Sequence, residues 1–203
     1  MITLYHAPKS RSSRFIWLLE EIGAPYQIKP VSIFRVFLGT GAPDPGNPHP
    51  DKQVPAIEHN GVLVSESVAI ALYLADAFPE AQLAPAPGTK GRAAYLTWMA
   101  WYAASLEPAM FDKMEDGLAT SLRKRRNYDN VLRRLEATLS KGPYLLGEQF
   151  SVADVLVGSA INWARQAFPK SDVLDAYGLR VRTRPASLAA SLKDECDGIQ
   201  KAA

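Results

Sequence analysis

A single cysteine, Cys196, stands in the whole sequence. That excludes an intramolecular disulfide and a Cys-x-x-Cys redox pair, so any thiol chemistry has to arrive with a ligand. The three histidines, His6, His49 and His59, lack metal-ligand spacing, and no metal is expected. The Gly- and Pro-rich stretch Gly39–Asp51 lacks the Gly-Lys-Ser/Thr ending of a phosphate-binding loop, which argues against nucleotide chemistry. The longest apolar stretch, "AAYLTWMAWYAA" from Ala93 to Ala104, is broken by Thr97 and falls short of the roughly 20 residues a membrane span needs. It reads as a buried helix. No basic, apolar leader precedes the strand-like "MITLY", so a cytoplasmic location is expected. A formal charge of +2 gives no excess for nucleic acid or an anionic membrane, and "RKRR" (Arg123 to Arg126), with Arg133 and Arg134, reads as a solvated helix face. Neither partner is expected.

What is present is enough apolar material for a core: 203 residues, 47% hydrophobic, fit one large domain or two small ones. "ITLY" reads as a strand, and "SRFIWLLEEIG" carries apolar residues at helical spacing with Gly23 as its C-cap. "YQIKPVSI" (Tyr26 to Ile33) alternates like a second strand, making a parallel βαβ unit. After the Gly39–Asp51 loop, "PAIEH", the turn Asn60-Gly61 and "VLVSE" form a hairpin signature, followed by a helix from Glu66 to Phe78. From Thr89 onward only helical periodicity is found. Its clearest local signal is "FSVADV": Ser151 as N-cap, Asp154 three residues on, and Phe150 placed to meet Val155, opening a helix to about Phe168. The expected architecture is an α/β domain over 1–80 (βαβ-ββα, a mixed four-stranded sheet), a linker over 79–88, and an all-α domain over 89–203.

Three segments carry candidate chemistry. In "QVPAI", Gln53 to Ile57, a proline opens a strand, where it costs a ladder hydrogen bond. Either Pro55 is trans at an edge, or a cis Val54-Pro55 bond turns the Val54 main chain outward for a peptide ligand to pair with. In "SES", Ser65 to Ser67, either Ser67 merely starts a helix, or its N-terminus receives a carboxylate while Glu66 receives an ammonium, matching the zwitterionic end of an amino acid. "HAPKSRSSR", His6 to Arg14, joins the first strand to the first helix, where α/β folds place ligands. Its serines either cap that helix or donate to a bound thiolate.

The order "LYHAPKSRSSRFIWLLEEIGAPY", "QVPAI", "ES" opening a helix, and "FSVADV" in an all-α second half resembles the cytosolic glutathione transferase family across nearly the whole chain. The resemblance implies a thioredoxin-like N-terminal domain and a helical-bundle second domain. It implies glutathione as co-substrate: Val54, ahead of a cis Pro55, pairs with the cysteinyl backbone, Glu66 and Ser67 hold the γ-glutamyl end, and Gln53 reaches the same group. Lys52 or a basic neighbour meets the glycyl carboxylate. For the group that activates the thiol, alignment with serine-type members indicates Ser10, with Ser12 beside it. An ungapped alignment with tyrosine-type members indicates Tyr5. Cysteine-type bacterial members place their cysteine near Arg11, whose guanidinium stays a candidate.

The implied activity is a transferase whose glutathione thiolate attacks hydrophobic electrophiles in detoxification, with glutathione-dependent peroxidase activity beside it, in a homodimer. Its substrate pocket would draw on the helical domain, where Tyr102, Phe111 and Trp163 are the candidate contacts. Two alternatives share the fold: a non-catalytic glutathione-binding or ligand-carrier protein, and a structural interaction module of the kind found in translation-factor subunits.

Overall fold

The computed structural model describes residues 1–196, with side chains as far as Asp194. Two compact units emerge, one of Met1–Ala81 joined by the segment from Pro185, the other of Gln82–Arg184.

In the first unit, strands β1 (Ile2–His6), β2 (Tyr26–Pro30), β3 (Ala56–His59) and β4 (Val62–Ser65) form one mixed sheet in the order β2-β1-β3-β4. β1 runs parallel to β2 and antiparallel to β3, and β3 runs antiparallel to β4 across the Asn60-Gly61 turn. That turn has both central residues at positive φ, 53° and 76°, as a two-residue hairpin requires. β2 stops at Pro30, short of the expected Ile33: the Val31 N–H makes the last ladder bond, to the carbonyl of His6, where β1 itself ends.

Helix α1 (Ser13–Ile22) ends on Gly23 in the left-handed conformation, its N–H returned to the Leu19 carbonyl. α1 buries Phe15, Ile16, Trp17, Leu18 and Leu19, more than one stripe of its surface. A helix apolar on several sides needs cover on more than one. β1 lies on one side, and the other cover comes from the far end of the chain, where α9 (Pro185–Cys196) packs along α1. The Lys193 ammonium sits 2.5 Å from Glu20 of α1 and 3.1 Å from the Tyr26 hydroxyl of β2. The expected all-α segment 89–203 is therefore divided: its last described helix belongs with the sheet, and residues 197–203 lie outside the described part. Helix α2 (Ser67–Ala77) follows β4 directly.

The second unit contains α3 (Lys90–Trp101), a π-helical turn (Tyr102–Leu106), α4 (Glu107–Met114), α5 (Gly117–Thr120), α6 (Leu122–Leu139), α7 (Val152–Trp163) and α8 (Asp172–Arg182). α7 ends five residues before the expected Phe168, giving way to a 3-10 turn over Arg165–Ala167. α7 and α8 approach closely: a Cβ on Gly158 would meet a Val181 methyl at 2.8 Å. The basic run on α6 is mostly exposed, Lys124 pairs with Asp112 at 2.6 Å, and Arg134 stacks its guanidinium 4.4 Å from the Trp98 ring centre.

The capping box at α7 has a second duty. Asp154 is fully buried, and its carboxylate accepts from the Ser151 N–H (2.9 Å), the Ser151 hydroxyl (3.0 Å), the Leu145 N–H (2.9 Å) and the Tyr177 hydroxyl of α8 (3.1 Å). It ties the helix start to both the preceding loop and the next helix. Burial pushes this carboxyl up to about 6, against the pull of those four donors. The folded state thus holds the proton more tightly than the unfolded chain does. The stability this contributes is complete below about pH 4, the ordinary carboxylate value, and is lost as pH rises through about 6. Denaturant titrations across this window should show that slope in the wild type and a shallower one in Asp154→Asn, which cannot titrate. Asp154→Ala should cost about 3 kcal/mol or more at every pH, because several buried donors lose their acceptor.

Candidate active site

Register brings the three candidate segments to one end of the sheet. Tyr5 of β1 lies opposite Ala56 of β3, and Ala56 lies opposite Ser65 of β4. The loop that leaves β1, the Val54-Pro55 pair that enters β3 and the Glu66-Ser67 pair that leaves β4 therefore share an edge. Ser10, Arg11, Ser12, Gln53, Val54, Pro55, Glu66 and Ser67 are all placed there.

The Val54-Pro55 bond is cis. Strand pairing begins at Ala56, so the Val54 main chain stands off the ladder, while its side chain is buried with Tyr5, Ala7, Val31 and Ala56. The preceding loop is braced from within. Asn47, fully buried, donates its amide to the Gln53 carbonyl at 2.8 Å, and the Lys52 ammonium donates to the carbonyls of Asn47 (2.7 Å) and Pro45 (3.3 Å). Lys52 has φ 54° and its ammonium is used as an internal brace. The Gln53 side chain is exposed.

Glu66 holds φ 70°, ψ 124° immediately before α2, with its carbonyl accepting the Ile70 N–H and its side chain exposed. A side chain at positive φ costs on the order of 1–3 kcal/mol and persists where the surroundings impose it. Here β4 must end and α2 begin within one residue, which leaves the Ser67 end of α2 open as a place for a negative charge.

The β1–α1 loop is organised around Ser12. This residue is fully buried, and its Oγ lies 2.8 Å from His6 Nδ1 and 2.8 Å from Ser10 Oγ. The same Oγ accepts the Ala7 N–H at 3.1 Å and lies 3.2 Å from the Ala7 carbonyl. Ser10 is half-buried, and its Oγ also accepts the Ser12 N–H at 3.1 Å. Of the two serines, Ser10 is the one that reaches solvent. Arg11 between them is exposed.

Tyr5 sits in the same row, yet its hydroxyl points the other way. It donates to Glu58 at 3.1 Å, two residues further along β3, where Thr3 is the strand partner. Burial, then the Glu58 carboxylate, pushes the Tyr5 phenol up, so it is held protonated and occupied.

Sequence reasoning missed the residues that brace this loop from a distance. Asp194 on α9 accepts from the Ser13 hydroxyl (2.5 Å) and the Lys9 N–H (3.2 Å), and it lies 3.3 Å from His6 Nε2. Arg35 donates to the Pro8 carbonyl at 2.8 Å. No local signal marks either role.

In the helical unit, Tyr102 is buried and hydrogen-bonded through its hydroxyl to Glu107. Phe111 and Trp163 meet edge to face at 6.1 Å between ring centres, with Trp163 half exposed. Among the described residues no cluster of His, Cys, Asp or Glu is arranged to hold a metal ion, and no helix is long and apolar enough to cross a membrane.

A thioredoxin-like sheet with a cis-proline at the entry to β3, followed by a helical unit, defines the class, and comparison with known proteins agrees. Residues 1–76 match the family model "Glutathione S-transferase, N-terminal domain" and residues 100–180 match "Glutathione S-transferase, C-terminal domain". The chain belongs to the glutathione S-transferase family. It is 29% identical to the disulfide-bond oxidoreductase YfcG of Escherichia coli (strain K12), covering 95% of each chain. It is 26% identical to the glutathione S-transferase GstA of Escherichia coli O157:H7, over 79% of this chain and 81% of that one. Among solved structures, a sphingomonad glutathione S-transferase complexed with glutathione superposes with a TM-score of 0.79 at 25% identity, over 96% of this chain and 99% of that one.

The conformation of Glu66 gives a direct check on the site's backbone. Glycine tolerates positive φ without the Cβ clash. Glu66→Gly should stabilise the first unit by about 1 kcal/mol, and Glu66→Ala, which keeps the clash, should not; equilibrium denaturation of the three chains distinguishes them.

Proposed function

We propose that this chain is a glutathione transferase that holds the glutathione thiol as thiolate through Ser10. The observation that carries the reading is the shared edge: Ser10, the Val54 main chain and the Glu66-Ser67 helix start are brought to one end of the sheet by the Tyr5–Ala56–Ser65 row. A tripeptide laid along that edge pairs its cysteinyl backbone with Val54 and sets its γ-glutamyl carboxylate at Ser67 and its ammonium at Glu66. Its thiol then faces the β1–α1 loop. Ser12 is too deeply buried to touch it, and Tyr5 spends its hydroxyl on Glu58. Glutathione bound in the sphingomonad neighbour supports the same ligand here.

A free thiol titrates near 8.5, so only a few per cent is ionised at neutral pH. Lowering that value by about two units requires roughly 2.7 kcal/mol of preferential stabilisation, within the range of one donated hydroxyl hydrogen bond and the start of a helix. The thiolate then attacks an electrophilic carbon, forming the S–C bond as the leaving group departs with its electron pair. With an organic peroxide, attack on oxygen followed by a second glutathione gives glutathione disulfide, an alcohol and water. The family resemblance implies that the helical unit supplies apolar substrate contacts; there, half-exposed Trp163 meets Phe111 edge to face. Detoxification in the cytoplasm by a homodimer is the setting that the family resemblance implies.

A second reading, glutathione-dependent disulfide reduction, is favoured by the likeness to the oxidoreductase YfcG across 95% of both chains. It uses the same thiolate, attacking sulfur instead of carbon.

Ultraviolet titration of bound glutathione tests the shared step. The wild-type complex should show a thiol pKa at least one unit below the free value. Ser10→Ala should restore the free value while still binding glutathione, and should lower turnover of an activated aryl halide about 10²-fold. Binding without a lowered pKa in the wild type would point to a carrier instead. Parallel assays with an aryl halide, an organic peroxide and a mixed disulfide then separate the reactions.

A further inference from the structure

The hydrogen bonds around Ser10 carry a directional requirement. A hydroxyl has one proton and two acceptor positions. Ser10 Oγ accepts the Ser12 N–H and lies 2.8 Å from Ser12 Oγ, so its proton is available to a ligand only when Ser12 is the donor in that second contact. Ser12 in turn already accepts the Ala7 N–H, and its Oγ lies 2.8 Å from His6 Nδ1. For Ser12 to give its proton to Ser10, His6 must donate from Nδ1. The opposite ring nitrogen, Nε2, faces the Asp194 carboxylate at 3.3 Å, at ion-pair distance though off the line of a hydrogen bond.

Resting on the assignment of Ser10 above, we propose that Asp194 and His6 are positioning residues for it. With His6 an imidazolium against Asp194, Nδ1–H donates to Ser12, Ser12 donates to Ser10, and the Ser10 proton is left for the ligand thiolate. In this arrangement both hydroxyl oxygens fill their acceptor positions, and each proton has a partner. A neutral ring protonated at Nε2 reverses the chain. Nδ1 then takes the Ser12 proton, Ser10 turns its own proton inward to Ser12, and nothing is left to hold a thiolate. The competing acceptor for the Ser12 proton, the Ala7 carbonyl, is more distant at 3.2 Å.

The surroundings hold the His6 ring between two partners. His6 is fully buried, and the groups placed on its ring are Ser12 from the loop and Asp194 from α9. Asp194 receives the Ser13 hydroxyl and the Lys9 N–H. Burial pushes its carboxyl up, but the His6 ring beside it and the hydrogen bonds from Ser13 and Lys9 outweigh this and hold it below the usual carboxylate range. Lys193, the residue before it, is anchored on Glu20 and Tyr26, which fixes α9 where Asp194 reaches the loop.

Two measurements decide the matter. Nitrogen-15 NMR of the wild type near neutral pH should show both ring nitrogens of His6 protonated, its signals assigned by loss in His6→Gln; a neutral ring with bare Nδ1 overturns the proposal. In the thiol titration, Asp194→Asn keeps the shape and removes the charge, and should raise the bound glutathione pKa by about one unit, with Asp194→Glu recovering at least half of that. S-hexylglutathione, which has no thiol proton, should bind each variant within about twofold of the wild type. If Ser10→Ala raises the pKa and Asp194→Asn does not, the coupling is refuted and Ser10 stands. If Ser10→Ala leaves the pKa unmoved, the Ser10 assignment itself falls. Loss of S-hexylglutathione binding in Asp194→Asn would mean that the carboxylate only braces the loop, which also overturns the proposal.

Discussion

Tyr5 opposite Ala56 and Ala56 opposite Ser65: on this register the candidate site of the first unit depends. Side chains alternate between sheet faces, so a slip of one residue would send every side chain of the shifted strand to the wrong face. It would also separate the loop after β1 from the helix start after β4. The register is held by the burial of Ile2 and Leu4 on one face and of Tyr5 and Ala56 on the other. A turn with both central residues at positive φ then sets β4 against β3.

Upon that frame the site is built from main chain more than from side chains. Val54 stands before the ladder, Ser67 opens a helix, and Glu66 is held in an unfavourable conformation between them. Such parts are rigid because their alternatives would break strands or helix turns. The hydroxyl loop is different. It has no regular structure of its own, and its order comes from Ser12, from Arg35, and from Asp194 on a helix nearly the whole chain away. The helical unit has its own version of the same device, Asp154 joining a loop, a helix start and a neighbouring helix through four donated hydrogen bonds.

Much of this was legible in the residues. The strand, helix and hairpin of the first 80 residues follow from periodicity, Gly23 and Asn60-Gly61, and the α7 start follows from Ser151 and Asp154, since each signal acts within a few residues. The ends of elements were less legible. β2 stops at Pro30 because its partner β1 ends at His6, and α7 stops at Trp163, in both cases earlier than periodicity implies. The four candidates for thiol activation look alike in sequence, as residues 5 to 12 of one stretch. Only placement separates them: Tyr5 turned toward Glu58, Ser12 buried at the centre of the loop, Ser10 and Arg11 toward solvent.

The sequence by itself determined the class of fold and the order of its elements, because those follow from local propensity, capping and turn chemistry. One cysteine likewise leaves no partner for a disulfide within these 203 residues. Tertiary structure alone decided that the last described helix covers the first, and that Asp194 meets His6 across 188 residues of chain. Such a contact depends on where two helices are laid against one sheet, and no pattern within either segment encodes the position of the other.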